Sequence, residues 1–318
     1  MTMIKSIIQK NGFIILDGAL ATELEKSGCD LNHRLWSAKI LAEDPDMIKH
    51  VHQLYFEAGA DCTITSSYQA VPDGFLQAGF SPEAANKLIQ LTFSLAVDAR
   101  DAFWESYSGT DRPKPFVAAS IGPYGAYLAD GSEYRGGYGL TKEELMAFHR
   151  PRIDLLIRAG ADFFACETLP SLLEAEALAS LLADYPGVRA WFSFSCKDGA
   201  HISDGTPIET CAAMLDKADA AEAVGINCTP IVYAEELIRR IRQTTAKPVV
   251  VYPNSGEEYD ASTNQWYGDS SVASFQERAE AWIDRGAGLI GGCCRTGPDE
   301  IRQLEALRRR QQSETNRP

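Results

Sequence analysis

Eight short apolar runs punctuate this chain, each bounded by turn residues and separated from the next by longer amphipathic stretches. They are 13–17 (FIILD), 61–65 (DCTIT), 116–120 (FVAAS), 162–166 (DFFAC), 190–194 (AWFSF), 223–226 (AVGI), 248–252 (PVVVY) and 288–291 (GLIG). They are rich in β-branched and aromatic residues and alternate too little for a sheet with one wet face, so each reads as a fully buried parallel strand. Between them lie helical patterns such as 170–183 (PSLLEAEALASLLA) and 234–244 (AEELIRRIRQT). Three strands follow a helix-ending glycine: Ala58-Gly59-Ala60-Asp61, Ala159-Gly160-Ala161-Asp162 and Arg285-Gly286-Ala287-Gly288. Glycine just past a helix and just before a buried strand is the joint of a repeated β/α unit. Eight such units in 318 residues predict one α/β domain, a (β/α)8 TIM-type barrel over 1–310, with the polar tail 311–318 (QQSETNRP) frayed. A doubly wound open sheet is the alternative. It lacks its nucleotide loop: the first strand runs into Asp17-Gly18-Ala19-Leu20 without G-x-G-x-x-G, and there is no Walker motif.

The formal net charge of −14 argues against nucleic acid or an anionic membrane as partner. No apolar run approaches the roughly 18 residues of a membrane helix, and the apolar patch near the N-terminus is too short for a signal-peptide core. A cytoplasmic protein is expected, and there the 8 cysteines are reduced thiols suited to metal binding or catalysis rather than a disulfide framework.

In a (β/α)8 barrel the active site lies at the C-terminal ends of the strands. The polar residues closing the eight runs are Asp17, Thr65 with Ser66 and Ser67, Ser120, Glu167 with Thr168, Ser195, Asn227 with Cys228, Asn254 with Ser255, and Cys293 with Cys294. Carboxylates, amides, hydroxyls and thiols are thus expected at one mouth. Cys29, Cys62, Cys166, Cys196 and Cys211 read as ordinary small buried thiols. Cys228 and the Cys293–Cys294 pair follow the sixth and eighth strands. A disulfide between adjacent cysteines closes a strained small ring and is disfavoured. Gly291 and Gly292 give a backbone free to turn both side chains toward the mouth. Three thiolates meeting there suit Zn²⁺ with its fourth position open, and spacing alone leaves packed core thiols as the other reading.

Gly225-Ile226-Asn227-Cys228 and Gly291-Gly292-Cys293-Cys294-Arg295-Thr296 resemble the zinc motifs of the homocysteine S-methyltransferase family. The resemblance covers nearly the whole chain. It takes in Leu16-Asp17-Gly18-Ala19 with Thr22-Glu23-Leu24, Leu35-Trp36-Ser37-Ala38, Thr63 to Gln69, Ser120-Ile121-Gly122-Pro123-Tyr124-Gly125, Glu167-Thr168-Leu169-Pro170 and Tyr252-Pro253-Asn254-Ser255-Gly256. The short bacterial and plant type, which uses S-methylmethionine and also S-adenosylmethionine, is the most similar.

The resemblance implies a zinc-dependent enzyme that transfers a methyl group from a sulfonium donor to homocysteine, forming methionine. One Zn²⁺ per chain would be held by Cys228, Cys293 and Cys294, and would ionise the acceptor thiol. For homocysteine, Glu167 is the candidate partner of the ammonium and Asp17 the second carboxylate; capping of the following helix is the plain alternative for both. The backbone N–H groups of Gly18 and Ala19 are a candidate carboxylate site. Trp36, Thr65, Ser66 and Asn254 are candidate pocket walls. The glycine-rich loop 122–139 (GPYGAYLADGSEYRGGYG) carries Tyr124, Tyr127, Tyr134 and Tyr138, a candidate aromatic lid for the donor cation. No general base is expected: His50 and His52 stand two apart on a predicted helix and cannot share a face. Betaine as donor or a selenol as acceptor are alternatives on the same machinery. A non-catalytic zinc-binding or thiol redox-sensing protein is the alternative of another class.

Overall fold

The computed structural model describes residues 2–29, 31, 36–109, 112–255, 258–260, 265–267 and 275–315. Eight parallel strands form the sheet: β1 (Ile14–Ile15), β2 (Cys62–Ile64), β3 (Phe116–Ile121), β4 (Phe163–Leu169), β5 (Arg189–Phe194), β6 (Ala221–Asn227), β7 (Val249–Tyr252) and β8 (Ala287–Ile290). Every one of the eight apolar runs contains a strand. Neighbours pair in chain order from β2 to β8, β8 pairs with β1 through Ile14–Leu289 and Ile15–Ile290, and a parallel bridge from Leu16 to Cys62 joins β1 to β2. The sheet is therefore a barrel.

Two apolar layers build it. An inner cluster of Ile14, Leu16, Cys62, Ala118, Phe163, Ala165, Trp191, Ala223, Val250, Tyr252 and Leu289 fills the barrel, and Ile4 from the helix Met3–Asn11 belongs to it. A larger cluster packs the outward strand faces against the helices. Side chains alternate across a strand, so the inner row on β4 runs Phe163, Ala165 and on to Glu167. The same parity carries β6 through Ala223 to Asn227 and β5 from Trp191 to Ser193. Apolar residues fill the bottom and middle of the barrel, and polar ones its C-terminal end.

The helix-ending glycines Gly59, Gly160 and Gly286 take φ of 118°, 103° and 100°, as the joint pattern requires. The last helix, Pro298–Thr315, runs past Arg310, where a frayed tail was expected. Gln311 to Thr315 are tolerable helix residues, and Ser313 Oγ bonds back to the Arg310 carbonyl at 2.8 Å. Residues 316–318 lie outside the described part. A short antiparallel pair, Glu258–Asp260 with Gln265–Tyr267, follows β7. No helix among the described residues is long and apolar enough to cross a membrane.

Candidate metal centre and amino-acid pocket

The chain leaving β6 meets the chain leaving β8 at the mouth. Cys228 follows directly on Asn227 and adopts a left-handed φ of 46°. Cys293 and Cys294 are strapped to the β7 loop: Cys293 N–H donates to the Pro253 carbonyl at 2.9 Å and Ser255 N–H to the Cys294 carbonyl at 3.1 Å. The three Sγ atoms lie within 4.8 Å of one another, the one group of three or more such ligand atoms gathered so closely among the described residues. Cys228 Sγ is 2.6 Å from Cys293 Sγ and 3.9 Å from Cys294 Sγ. Zn–S bonds of about 2.3 Å at tetrahedral angles give an S–S edge of about 3.8 Å. The longer separation fits that edge, and the shorter one would have to widen by about 1.2 Å to match it. The Cys293 thiol is held well above its usual range, first by its hydrogen bond to Cys228 and then by burial. A soft divalent cation is what such a set of thiols needs to ionise together, so the donor set fits zinc.

The glycines before the pair serve by their size rather than by special torsions. Neither Gly291 nor Gly292 has a positive φ; the left-handed residue of this turn is Arg295, at 66°. A Cβ on Gly291 would lie 2.6 Å from Leu16 Cβ and 2.7 Å from the Asp17 carbonyl oxygen, and one on Gly292 would lie 2.0 Å from Thr296 Oγ1. Gly291 lets the end of β8 close tightly against the end of β1, Gly292 leaves room for Thr296 in the turn, and the Gly292 N–H donates to the Asp17 carbonyl at 3.0 Å.

Beside the thiols stands a pair of buried carboxylates. Glu167 is 7% exposed and Asp17 4%. Glu167 Oε1 accepts from Ser120 Oγ, and its Oε2 accepts from Tyr252 Oη at 3.0 Å. Tyr252 is itself held by Trp191 Nε1 at 3.0 Å and Ser193 Oγ at 2.7 Å. Burial pushes Glu167 up to about 7, against the pull of the two hydroxyls. Burial also raises Asp17 well above the ordinary carboxylate range, opposed by the Ile64 N–H at 2.8 Å and reinforced by the charge of Glu167. Both acidic groups are raised by burial, and Asp17 further by the charge of Glu167; a cation beside them relieves that cost, and an ammonium group is the cation of an amino acid.

The other candidate residues divide. Thr65 Oγ1 is consumed within the protein, pairing with Ser67 Oγ at 2.7 Å and accepting the Ser120 N–H at 3.0 Å. Ser66 Oγ and Asn254 Oδ1 are buried with no hydrogen-bond partner, the condition of groups that await a ligand. The Ala19 N–H corrects the anion-site expectation: it donates to the Thr296 carbonyl at 2.9 Å, because the β8 loop folds over the start of the helix Leu20–Lys26. Gly18 packs beneath the same carbonyl, where a Cβ would come within 2.7 Å. Trp36 opens the helix Trp36–Glu43, and its side chain lies outside the described part.

The loop after β3 is not structureless: it contains the helix Tyr124–Leu128 and a 3-10 turn, Ser132–Tyr134. Tyr124, Tyr127 and Tyr138 gather with Phe148 at ring separations of 4.8 to 5.8 Å. Tyr134 stands apart, 47% exposed. Beneath the loop, buried Arg152 donates to the Tyr68 and Gly122 carbonyls at 3.0 and 2.8 Å, and Glu174 Oε1 accepts the Tyr124 N–H at 2.6 Å. His149 is locked between these two charged groups. Tyr252, Ser193 and Trp191 are site-supporting residues that strand-end reading missed; the inner-face parity of β5 and β7 was their signal. A cleft of about 450 Å³ at the opposite, N-terminal end of β3 and β4, bounded by Met3, Phe116 and Asp162, shares no residue with this site.

A (β/α)8 barrel with three thiols and two buried carboxylates at its C-terminal mouth is a metal-assisted enzyme that handles an amino acid. The profile of the homocysteine S-methyltransferase family matches residues 14–307. Homocysteine S-methyltransferase YbgG of Bacillus subtilis is 54% identical over 310 residues, 97% of this chain and 98% of that protein. Selenocysteine Se-methyltransferase of Brassica oleracea var. italica is 45% identical over 310 residues, covering 93% of this chain and 89% of its own. The crystal structure of the metallated form of the homocysteine methyltransferase MmuM from Escherichia coli superimposes with a TM-score of 0.85 at 44% identity, over 95% of this chain and 99% of that one. The chain belongs to the homocysteine S-methyltransferase family.

Proposed function

We propose that this enzyme makes methionine by moving a methyl group from a sulfonium donor, S-methylmethionine or S-adenosylmethionine, to the sulfur of homocysteine, with one Zn²⁺ held by Cys228, Cys293 and Cys294. The observation that carries this reading is the meeting of three thiols and a cation-seeking carboxylate pair at one barrel mouth. When bound, zinc supplies the positive charge that keeps an acceptor thiol ionised at neutral pH. Glu167, oriented by Ser120 and Tyr252, takes the homocysteine ammonium, with Asp17 beside it. Ser66 Oγ and Asn254 Oδ1 supply further polar contacts.

The acceptor sulfur forms a bond to the donor methyl carbon as the old carbon–sulfur bond breaks. That electron pair stays with the donor sulfur, which leaves as a neutral thioether, and the acceptor's thiol proton has gone to solvent. No proton moves in the transfer itself, so the chain contributes alignment rather than acid–base catalysis. The reduced thiols this requires fit a cytoplasmic setting. A selenol acceptor is the second reading, favoured by the 45% identity to the Brassica selenocysteine Se-methyltransferase.

Purified zinc-loaded protein, given homocysteine and each sulfonium donor in turn, should form methionine and contain one zinc per chain. Absence of methionine with every donor overturns the reading.

A further inference from the structure

The carboxylates at the mouth number more than one acceptor needs. Glu133 lies in the 3-10 turn Ser132–Tyr134 after β3, and its position is fixed by the backbone around it. Ser195 Oγ, just past the end of β5, donates to the Glu133 carbonyl at 3.3 Å. Asp130 Oδ1 caps the turn through the Ser132 N–H at 2.9 Å. The helix Tyr124–Leu128 packs so closely beneath that a Cβ on Gly125 would lie 2.4 Å from the Glu133 nitrogen. On this fixed backbone, Glu133 Oε2 is buried and has no hydrogen-bond partner. Arg135, two residues on, directs Nη2 to the Asp130 carbonyl at 3.2 Å. Ser195, which holds the Glu133 carbonyl, lies just past the end of β5, the strand that pairs with β6 where β6 leads into Asn227 and Cys228.

We propose that Glu133 is the donor-recognition carboxylate: its buried, unpartnered Oε2 takes the α-ammonium of S-methylmethionine on the side of the mouth where β5 and β6 end. This rests on the sulfonium-to-homocysteine reading above and adds the residue that distinguishes one donor from another. The charge lost during transfer decides which cation Glu133 takes. The sulfonium becomes neutral as the methyl leaves, so a carboxylate set against it would stabilise the bound donor more than the transition state and slow the step. The ammonium keeps its charge throughout. A carboxylate there strengthens donor binding uniformly and leaves the chemical step alone. Aromatic faces are weaker partners for a cation than a carboxylate and suit the side that must release its charge.

The experiment measures steady-state kinetics of wild type, Glu133→Gln and Glu133→Asp with homocysteine and two donors: S-methylmethionine, and trimethylsulfonium, which has no ammonium. For Glu133→Gln we expect KM for S-methylmethionine to rise at least tenfold with kcat within about twofold, and Glu133→Asp to fall between. KM for homocysteine, zinc content and the thermal midpoint should stay at wild-type values, as should KM for trimethylsulfonium. An unchanged KM for S-methylmethionine overturns the assignment, and so does an equal rise for both donors, which would place the carboxylate on the sulfonium. A homocysteine KM that moves in step would make Glu133 part of the general scaffold and also overturn it. A wild-type enzyme that forms no methionine from S-methylmethionine removes the functional reading itself, a failure distinct from an active wild type matched by an equally active Gln variant.

Discussion

Asn227 grips Thr168 at two points: its Oδ1 accepts the Thr168 backbone N–H at 2.7 Å, and its Nδ2 donates to Thr168 Oγ1 at 2.7 Å. The grip reaches from β6 across β5, where Ser193 Oγ donates to the same Oδ1 at 2.8 Å. Thr168 sits at a left-handed φ of 58°, uncommon for a β-branched residue, and immediately follows Glu167. Asn227 in turn immediately precedes Cys228. One amide thus ties the thiol strand to the carboxylate strand. Asn227→Ala strands the Thr168 N–H in the barrel and should lower stability by about 2 kcal/mol in urea titration. It should also raise the homocysteine KM about tenfold, because Thr168 is then free to relax and turn Glu167. Stability lost with the KM intact would reduce the grip to a packing contact.

Glu167 is raised to about 7 from an ordinary value of 4.5. The metal-free, substrate-free protein therefore keeps a proton that the unfolded chain releases between those pH values. Stability falls as pH rises through that window and stays at the lower level above it. Glu167→Gln removes the effect. At pH 8 the variant should be more stable than wild type by roughly 3 kcal/mol, while its homocysteine KM rises tenfold or more and its zinc content is unchanged. In wild type, homocysteine affinity should improve from pH 6 to pH 8 as Glu167 ionises, and the Gln variant should show a shallower slope. Equal slopes in the two proteins would disprove the ammonium role.

The barrel was legible because each strand is a short apolar run and three of its joints carry a left-handed glycine. Glu167, Asp17 and the three cysteines were legible for a related reason: each lies at the end of such a run, where a barrel places its chemistry. Ser193 and Trp191 sit inside a run and read as core until their facing is known, and Tyr252, the aromatic that ends its run, reads as the close of an apolar stretch rather than as a polar group of the site. The parity Trp191–Ser193 on β5 and Val250–Tyr252 on β7 turns them inward, where their polar atoms meet Glu167. The glycines of the Cys293–Cys294 loop read from sequence as torsional freedom, yet their reason is contact: Gly291 with Leu16 from the other end of the chain, and Gly292 with Thr296 across its own turn. The Ala19 amide looked available because the start of its helix is local information. The Thr296 carbonyl that occupies it arrives from the other end of the chain.

Metal removal should expose a specific thiol reaction. Cys228 Sγ is 2.6 Å from Cys293 Sγ, whereas the adjacent pair Cys293–Cys294 can join only through a strained ring. Chelator-treated protein exposed to a mild oxidant should form the Cys228–Cys293 crosslink, identified by peptide mapping, and lose methionine formation until reduced and reloaded with zinc. Zinc-loaded protein should resist. Saturation with zinc at about 100 times its dissociation constant should add roughly 2.7 kcal/mol of stability. A crosslink dominated by Cys293–Cys294 would contradict the geometry of the centre.

Gly225 tests how finely the barrel sets that centre. It pairs with Val250 between β6 and β7, and a Cβ added to it would lie 1.7 Å from the Val250 carbonyl oxygen. That oxygen belongs to a backbone fixed in the sheet, so no rotamer change relieves the overlap. The two strands must part where β6 carries Asn227 and Cys228 toward Cys293. Gly225→Ala should therefore cost about 3 kcal/mol in stability, at the upper end for an overpacked core. At a temperature where the variant is still folded, its zinc affinity should also fall, because Cys228 moves with its strand while Cys293 and Cys294 stay with β8. Circular dichroism melting and a competitive zinc-chelator titration measure the two effects separately. A variant as stable as wild type would show that the sheet yields here, and that the closeness of β6 to β7 does not set the metal site.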